Sequence, residues 1–138
     1  MKTVWKFTLD VVPPSFNVYD RMHWAVKKKL RETLGRRVMF ALFEQGWRMP
    51  ADRAEVPPMM VSVVICRPRR LDPDSATASL KPLLDGMRDV RALRNDSPRW
   101  LKLEVDQEIS AVPRTEITIS EWYPTRPAVR AQFKLEGV

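Results

Sequence analysis

Asp72-Pro73-Asp74, followed by Lys81, Asp85 and the pair Asn95-Asp96, is the part of the chain whose residue types and spacing can do chemistry. Pro73 disfavours a helical Asp72 and pushes it towards an extended conformation. Residues two apart in an extended chain point the same way, so the carboxylates of Asp72 and Asp74 are expected to converge. Two close carboxylates raise each other's pKa unless a cation lies between them. A hard divalent ion that prefers oxygen ligands and keeps several waters suits such a pair, Mg²⁺ first and Mn²⁺ as the alternative. Lys81 and Asp85 are four apart and share a face if the segment is helical, so Lys81 can reach the site while Asp85 orients it. With Asp96 returning from the next loop, supported by Asn95, the set offers what phosphodiester hydrolysis needs. Carboxylates hold a metal that activates water, and a lysine stabilises the charge that develops on the phosphate. The bland reading of the same residues is a turn with a helix N-cap at Asp72 and a surface ion pair between Lys81 and Asp85.

The elements that must position these groups follow from period and punctuation. Val4 to Val12 carries strand formers and stops at Pro13-Pro14. From His23 to Gln45 the apolar residues Trp24, Leu30, Leu34, Val38, Ala41 and Leu42 recur in steps of three and four. Gly46 follows, which predicts an amphipathic helix starting at His23 with those residues as its buried stripe. Ala51 to Pro58 reads as a loop. Met60 to Cys66 is apolar throughout and predicts a central strand. Leu80, Leu83, Leu84 and Met87 predict a second helix, begun or kinked near Pro82. Residues 100–109 and 116–122 alternate apolar and polar and predict two half-exposed antiparallel strands. The order strand, long helix, strand, helix, strand, strand implies one α/β (α+β) domain over residues 1–123, a small mixed sheet packed against two main helices. A tail without strong period occupies 124–138.

Composition narrows the partner. The chain of 138 residues carries a formal net charge of +7 and a pI of about 10.0. A positive excess of this size on a small domain points to a polyanion. Lys27 and Lys28 lie in a basic run of the long helix, and Arg67, Arg69 and Arg70 stand beside the acidic cluster. With Asn17 and Arg21 they are the candidate DNA contacts, and such phosphate contacts position a substrate without reading bases. Phe16, Tyr19 and Trp24 are read first as core or turn packing, with a wedge at a branch point as the alternative. Cys66 is the only cysteine, so no disulfide within the chain is available, and it reads as a buried small hydrophobe. His23 is the only histidine, which removes any His-pair metal site and leaves a helix-start role. No stretch approaches the apolar length of a membrane span, and no signal-peptide pattern is present, so a cytoplasmic protein with no membrane partner is expected.

The turn Pro13-Pro14-Ser15-Phe16-Asn17-Val18-Tyr19 after the first strand, then Arg69-Arg70-Leu71-Asp72-Pro73-Asp74, Lys81, Asp85 and Asn95-Asp96, in this order, resembles the RusA-like Holliday junction resolvases, in particular their phage-type members. The likeness spans roughly residues 4 to 120. It implies a metal-dependent endonuclease that resolves four-way DNA junctions by paired nicks. Asp72, Asp74 and Asp96 would be its metal ligands and Lys81 its essential lysine. It further implies a homodimer and no small-molecule cofactor beyond the metal. This chain departs from the family's pattern in three places: Ser75 stands where an asparagine follows the paired aspartates, the interval to Lys81 is three residues longer, and Asn95-Asp96 replaces two acidic residues. Those departures leave an alternative, a basic module that binds branched DNA and has lost its nuclease activity. A small RNA-binding protein is a third reading, disfavoured by the absence of an aromatic stacking motif of the RNA-recognition kind.

Overall fold

The computed structural model describes residues 3–122; the tail expected over 124–138 lies outside them. Four strands form one mixed sheet: β1 (Val4–Leu9), β2 (Met59–Arg67), β3 (Leu101–Ile109) and β4 (Arg114–Glu121). Their spatial order is β1-β4-β2-β3. β4 pairs antiparallel with both β1 and β2, while β3 runs parallel to β2. This α+β architecture is the one the sequence predicts, and the run 60–66 does form an interior strand. The expectation that residues 100–109 form an antiparallel strand is corrected. Chain passing from β2 through two helices re-enters on the same side, which makes a parallel crossover.

Helices cover one face of this sheet. α1 (Phe16–Asp20) is a single turn where the sequence reads only a turn, and the Ser15 hydroxyl caps it by accepting from Val18 N. α2 (Trp24–Phe43) begins at His23, whose Nδ1 accepts from Ala25 N at 3.2 Å, so the lone histidine starts the helix as expected. The helix ends where Gly46 takes φ +90° and Trp47 N closes back on Leu42 O. Between β2 and β3 lie α3 (Pro73–Ala78) and α4 (Lys81–Asp89); Pro82 sits in the first turn of α4, where its missing N–H costs nothing.

The inward sides of the strands supply Val61, Val63, Ile65, Ile117 and Ile119, and the helices supply Leu34, Val38, Leu42, Leu80, Leu83 and Met87. Each such side chain gains roughly 1.5–3 kcal/mol from burial, so the α4 stripe is strongly tied to the sheet. α2 and α4 cross with their backbones almost touching. A Cβ on Gly86 would stand 2.6 Å from Arg31 O, and one on Gly35 would stand 2.8 Å from Gly86 O. Only glycine at both positions permits that approach. It fixes where the first turn of α4, with Lys81 and Asp85, lies against α2.

Candidate nucleic-acid interface and acidic site

Two segments meet at the end of the sheet where β2 finishes, and each is clamped there. Residues 11–17 are held by Thr115 Oγ1, which donates to Val11 O at 2.7 Å, and by Arg67 Nη2, which donates to Pro13 O at 2.7 Å. Leu71, just ahead of Asp72, is held by Gln107: its Oε1 accepts from Leu71 N and its Nε2 donates to Leu71 O, both at 2.9 Å. A side-chain amide thus completes a ladder rung for a strand that has already ended.

Beside these clamps lie two open cavities, with Phe16 lining both. On one side a cavity of about 430 Å³ is lined by Ser15, Asn17, Leu71, Asp74 and Ser75. On the other, a cavity of about 390 Å³ is lined by Lys27, Lys28, Arg31, Lys81 and Asp85, with Asp20, Tyr19 and Trp24. The turn lines both cavities, the acidic segment one and the Lys81/Asp85 pair the other, so segments far apart in sequence become neighbours about Phe16.

Lys81 and Asp85 form the pair that their spacing predicts, with Nζ 3.6 Å from Oδ2. Asp85 is buried to 7 % exposure and also faces Arg88 Nη2 at 3.8 Å. A buried carboxylate between two cations orients both and leaves the exposed Lys81 ammonium turned to the cavity.

Asp72 departs from the sequence expectation. Its own backbone is extended, as Pro73 requires, but the helix starts at Pro73. The two aspartates are therefore N-cap and second residue of a helix rather than alternate residues of a strand, and the two-residue alternation that was to make them converge does not apply. The Asp72 carboxylate accepts from Ser75 N at 2.9 Å and from Ser75 Oγ at 2.8 Å. Those bonds from the Ser75 amide and hydroxyl hold its pKa below the ordinary carboxylate value. Ser75 is thus the partner that satisfies Asp72. Asp74 is exposed in the first of the two cavities.

Asp96 is not brought to this site. Leu101 N bonds to Ser97 O, so Asp96 adjoins the start of β3, whereas Leu71 is held by Gln107 near its end. The parallel register places Leu101 beside Met59 and Gln107 beside Ile65. Six residues of strand, roughly 20 Å at about 3.3 Å each, separate the two ends. Asn95 stays with Asp96, its Oδ1 accepting from Ser97 N. Among the described residues no three of His, Cys, Asp and Glu stand together as a metal-holding group.

The cations divide likewise. Arg69 and Arg70 are exposed beside Asp72, and Arg21 is exposed at the end of α1. Arg67, expected as a DNA contact, is half-buried with Nη2 donating to Pro13 O, and burial lowers its pKa without removing its charge. Arg91 and Arg94 are likewise bound to Pro50 O and Ala54 O. Sequence reasoning missed Gln107 and the exposure of Trp24. Gln107 did carry a signal, being the polar residue in the inward series Leu101, Leu103, Val105, Gln107. Cys66 is buried as expected, and burial pushes its thiol pKa up. No helix among the described residues is long and apolar enough to cross a membrane.

No protein-family model matches the chain, and no curated protein matches it.

Proposed function

We propose that the chain is a metal-dependent endonuclease that cuts branched DNA, a four-way junction above all, by phosphodiester hydrolysis in the cytoplasm of a bacterial or phage-infected cell. The observation that carries this reading is a pair of cavities that share Phe16, one lined by Asn17 and Asp74 and the other by Lys81, Asp85 and the α2 cations. A phosphate in the second cavity would meet Lys81, Lys27 and Lys28, with the Asp74 carboxylate in the cavity across Phe16. Mg²⁺ is commonly held by one or two carboxylates, with waters and substrate phosphate oxygens completing its shell. Asp74, exposed in the cavity, would supply one such carboxylate, while both Asp72 oxygens already accept from Ser75. The metal supplies an activated water and charge neutralisation. The chain's own part is to hold the phosphate with Lys81, keep Lys81 aimed through Asp85, and fix the acidic turn through Gln107. Asp96 enters such a site only from a second copy of the chain, which agrees with the homodimer implied by the resemblance.

The second reading, a junction-binding module without nuclease activity, draws on the engagement of Asp72 as a helix cap and the distance of Asp96. One experiment separates the two: a synthetic four-way junction is incubated with the protein and Mg²⁺ or chelator, beside Asp74→Asn. Metal-dependent paired nicks, lost in Asp74→Asn while junction binding persists, establish the nuclease. Binding without nicks under any divalent metal establishes the module instead.

A further inference from the structure

We infer that the cavity between α1, α2 and the start of α4 is a pocket for an unstacked nucleotide, with Trp24 as its stacking platform. The inference rests on the nucleic-acid half of the proposed function and is independent of the metal half. Its starting point is the exposure of Trp24, 70 %. It is the most exposed of the large apolar side chains on the described surface and occupies the first position of α2. Exposed tryptophan surface is costly in water and marks a contact site when other recognition groups surround it. Here they do: Lys27, Lys28 and Lys81 line the same cavity, and Lys27 Nζ also lies 5.3 Å from the centre of the Tyr19 ring. The His23 ring stands 5.5 Å from that of Trp24, tilted by 35°, which narrows the positions the indole can take.

The chemistry of the wall selects the ligand class. An apolar peptide would leave the ammonium groups of Lys27, Lys28 and Lys81, of which Asp85 pairs only the last, and the Asp20 carboxylate against its surface. A rigid duplex keeps its bases stacked inward and offers a tryptophan only sugar and phosphate. An unpaired nucleotide satisfies both halves, with its base on the indole and its phosphates on the lysines, which is the usual composition of single-strand binding surfaces. The volume of about 390 Å³ lies within the ~300–1,000 Å³ range of small-ligand clefts. In a four-way junction, whose bases are paired, the nucleotide would have to be unstacked at the branch point, and Lys81 lines the pocket that would receive it.

The test measures anisotropy of a labelled single-stranded oligonucleotide and of its duplex, with the full chain in chelator so that cleavage plays no part. Trp24→Ala is expected to weaken single-strand binding by roughly 5- to 150-fold, the usual range for loss of one base–aromatic stack, and to change duplex binding by less than about 2-fold. Trp24→Phe keeps a ring and should recover most of the loss. Lys27→Ala should weaken both substrates alike and flatten the salt dependence. Single-strand binding by Trp24→Ala equal to that of the parent overturns the inference, even if the parent cuts junctions. So does a Trp24→Ala variant altered only in its oligomeric state, because the indole would then belong to a protein contact. A parent that binds single strands through Trp24 but never cuts a junction retains the pocket and loses the nuclease.

Discussion

Replacing Gly86 by alanine tests whether the α2–α4 backbone contact builds the lysine-lined cavity. The added Cβ would lie 2.6 Å from Arg31 O and 2.8 Å from Gly35 N, both backbone atoms without a side-chain rotamer to yield. Ordinary contact needs about 3.4 Å or more, so the helices must part by close to an ångström, or α4 must roll on the sheet. Leu83 and Met87, fully buried on α4, resist both. Overpacking of this kind costs about 1–3 kcal/mol, and parting the helices takes further dispersion contacts from α2. Alanine favours a helix over glycine by about 1 kcal/mol, which offsets part of it. The balance is a loss of about 1–2 kcal/mol, or roughly 4–8 °C in Tm for a domain of this size.

The same displacement moves Lys81 and Asp85 away from Lys27, so DNA affinity should fall in parallel. Thermal unfolding by circular dichroism and junction binding measured below the Tm check the two halves. A Gly86→Ala protein as stable as the parent, or more so, would mean that helix propensity outweighs the clash and that the crossing is looser than described. Normal binding in a destabilised protein would sever the link between the crossing and that cavity.

Two further perturbations address the acidic turn. Gln107→Ala removes both bonds to Leu71 and should cost about 1–3 kcal/mol at roughly 0.5–1.5 kcal/mol per bond; hydrogen exchange should accelerate at the Leu71 and Ser75 amides first, and unchanged exchange there would refute the clamp. Asp72 gives a pH dependence of definite sign. Its folded pKa lies below its unfolded value of about 3.9, so its contribution to stability is fully present above about pH 4 and fades as pH falls through the depressed pKa. Urea midpoints measured across that acid range should drop less for Asp72→Asn than for the parent, and parallel curves would remove Asp72 from the cap.

The fold was readable where period and punctuation agree. The central strand ends within a residue or so of its expected limits, and His23, Gly46 and Pro82 each act at a helix end as their chemistry dictates. Periodicity misled at Trp24 for a physical reason. Trp24 and Leu42 are 18 residues apart, five full turns, and so share one side of α2. Leu42 meets the core, while at Trp24 the helix has run past it and the same side opens on the cavity. Period gives the direction of a side chain but not what stands opposite. The strand 100–109 carries the alternation of a half-exposed strand, and alternation does not distinguish a parallel from an antiparallel neighbour. The paired aspartates were legible as an acidic turn after the central strand, and their register on the backbone was not. Asp-Pro-Asp fits an extended chain or a helix start equally well, and only the amide and hydroxyl of Ser75 decide for the helix.

The parallel pairing of β2 and β3 has the widest consequence for chemistry. A strand followed by helices and a parallel neighbour returns the chain to the end of the sheet where it began. A residue just after β2 and one just before β3 therefore lie at opposite ends whatever the loops do. Asp74 and Asp96 are such a pair, and the clamp of Gln107 on Leu71 leaves no slack by which the acidic turn can migrate. If Asp96 takes part in the same chemistry as Asp74, the two carboxylates come from different chains. Mixing Asp74→Asn protein with Asp96→Asn protein then has a definite expected outcome. Each alone is inactive, but a mixed dimer holds one site with both carboxylates intact and should nick one strand of a junction without its partner. A mixture that stays inactive while heterodimers form would place both carboxylates in one chain and overturn the cross-chain reading, and full activity of Asp96→Asn alone would restrict the site to Asp72, Asp74 and Lys81.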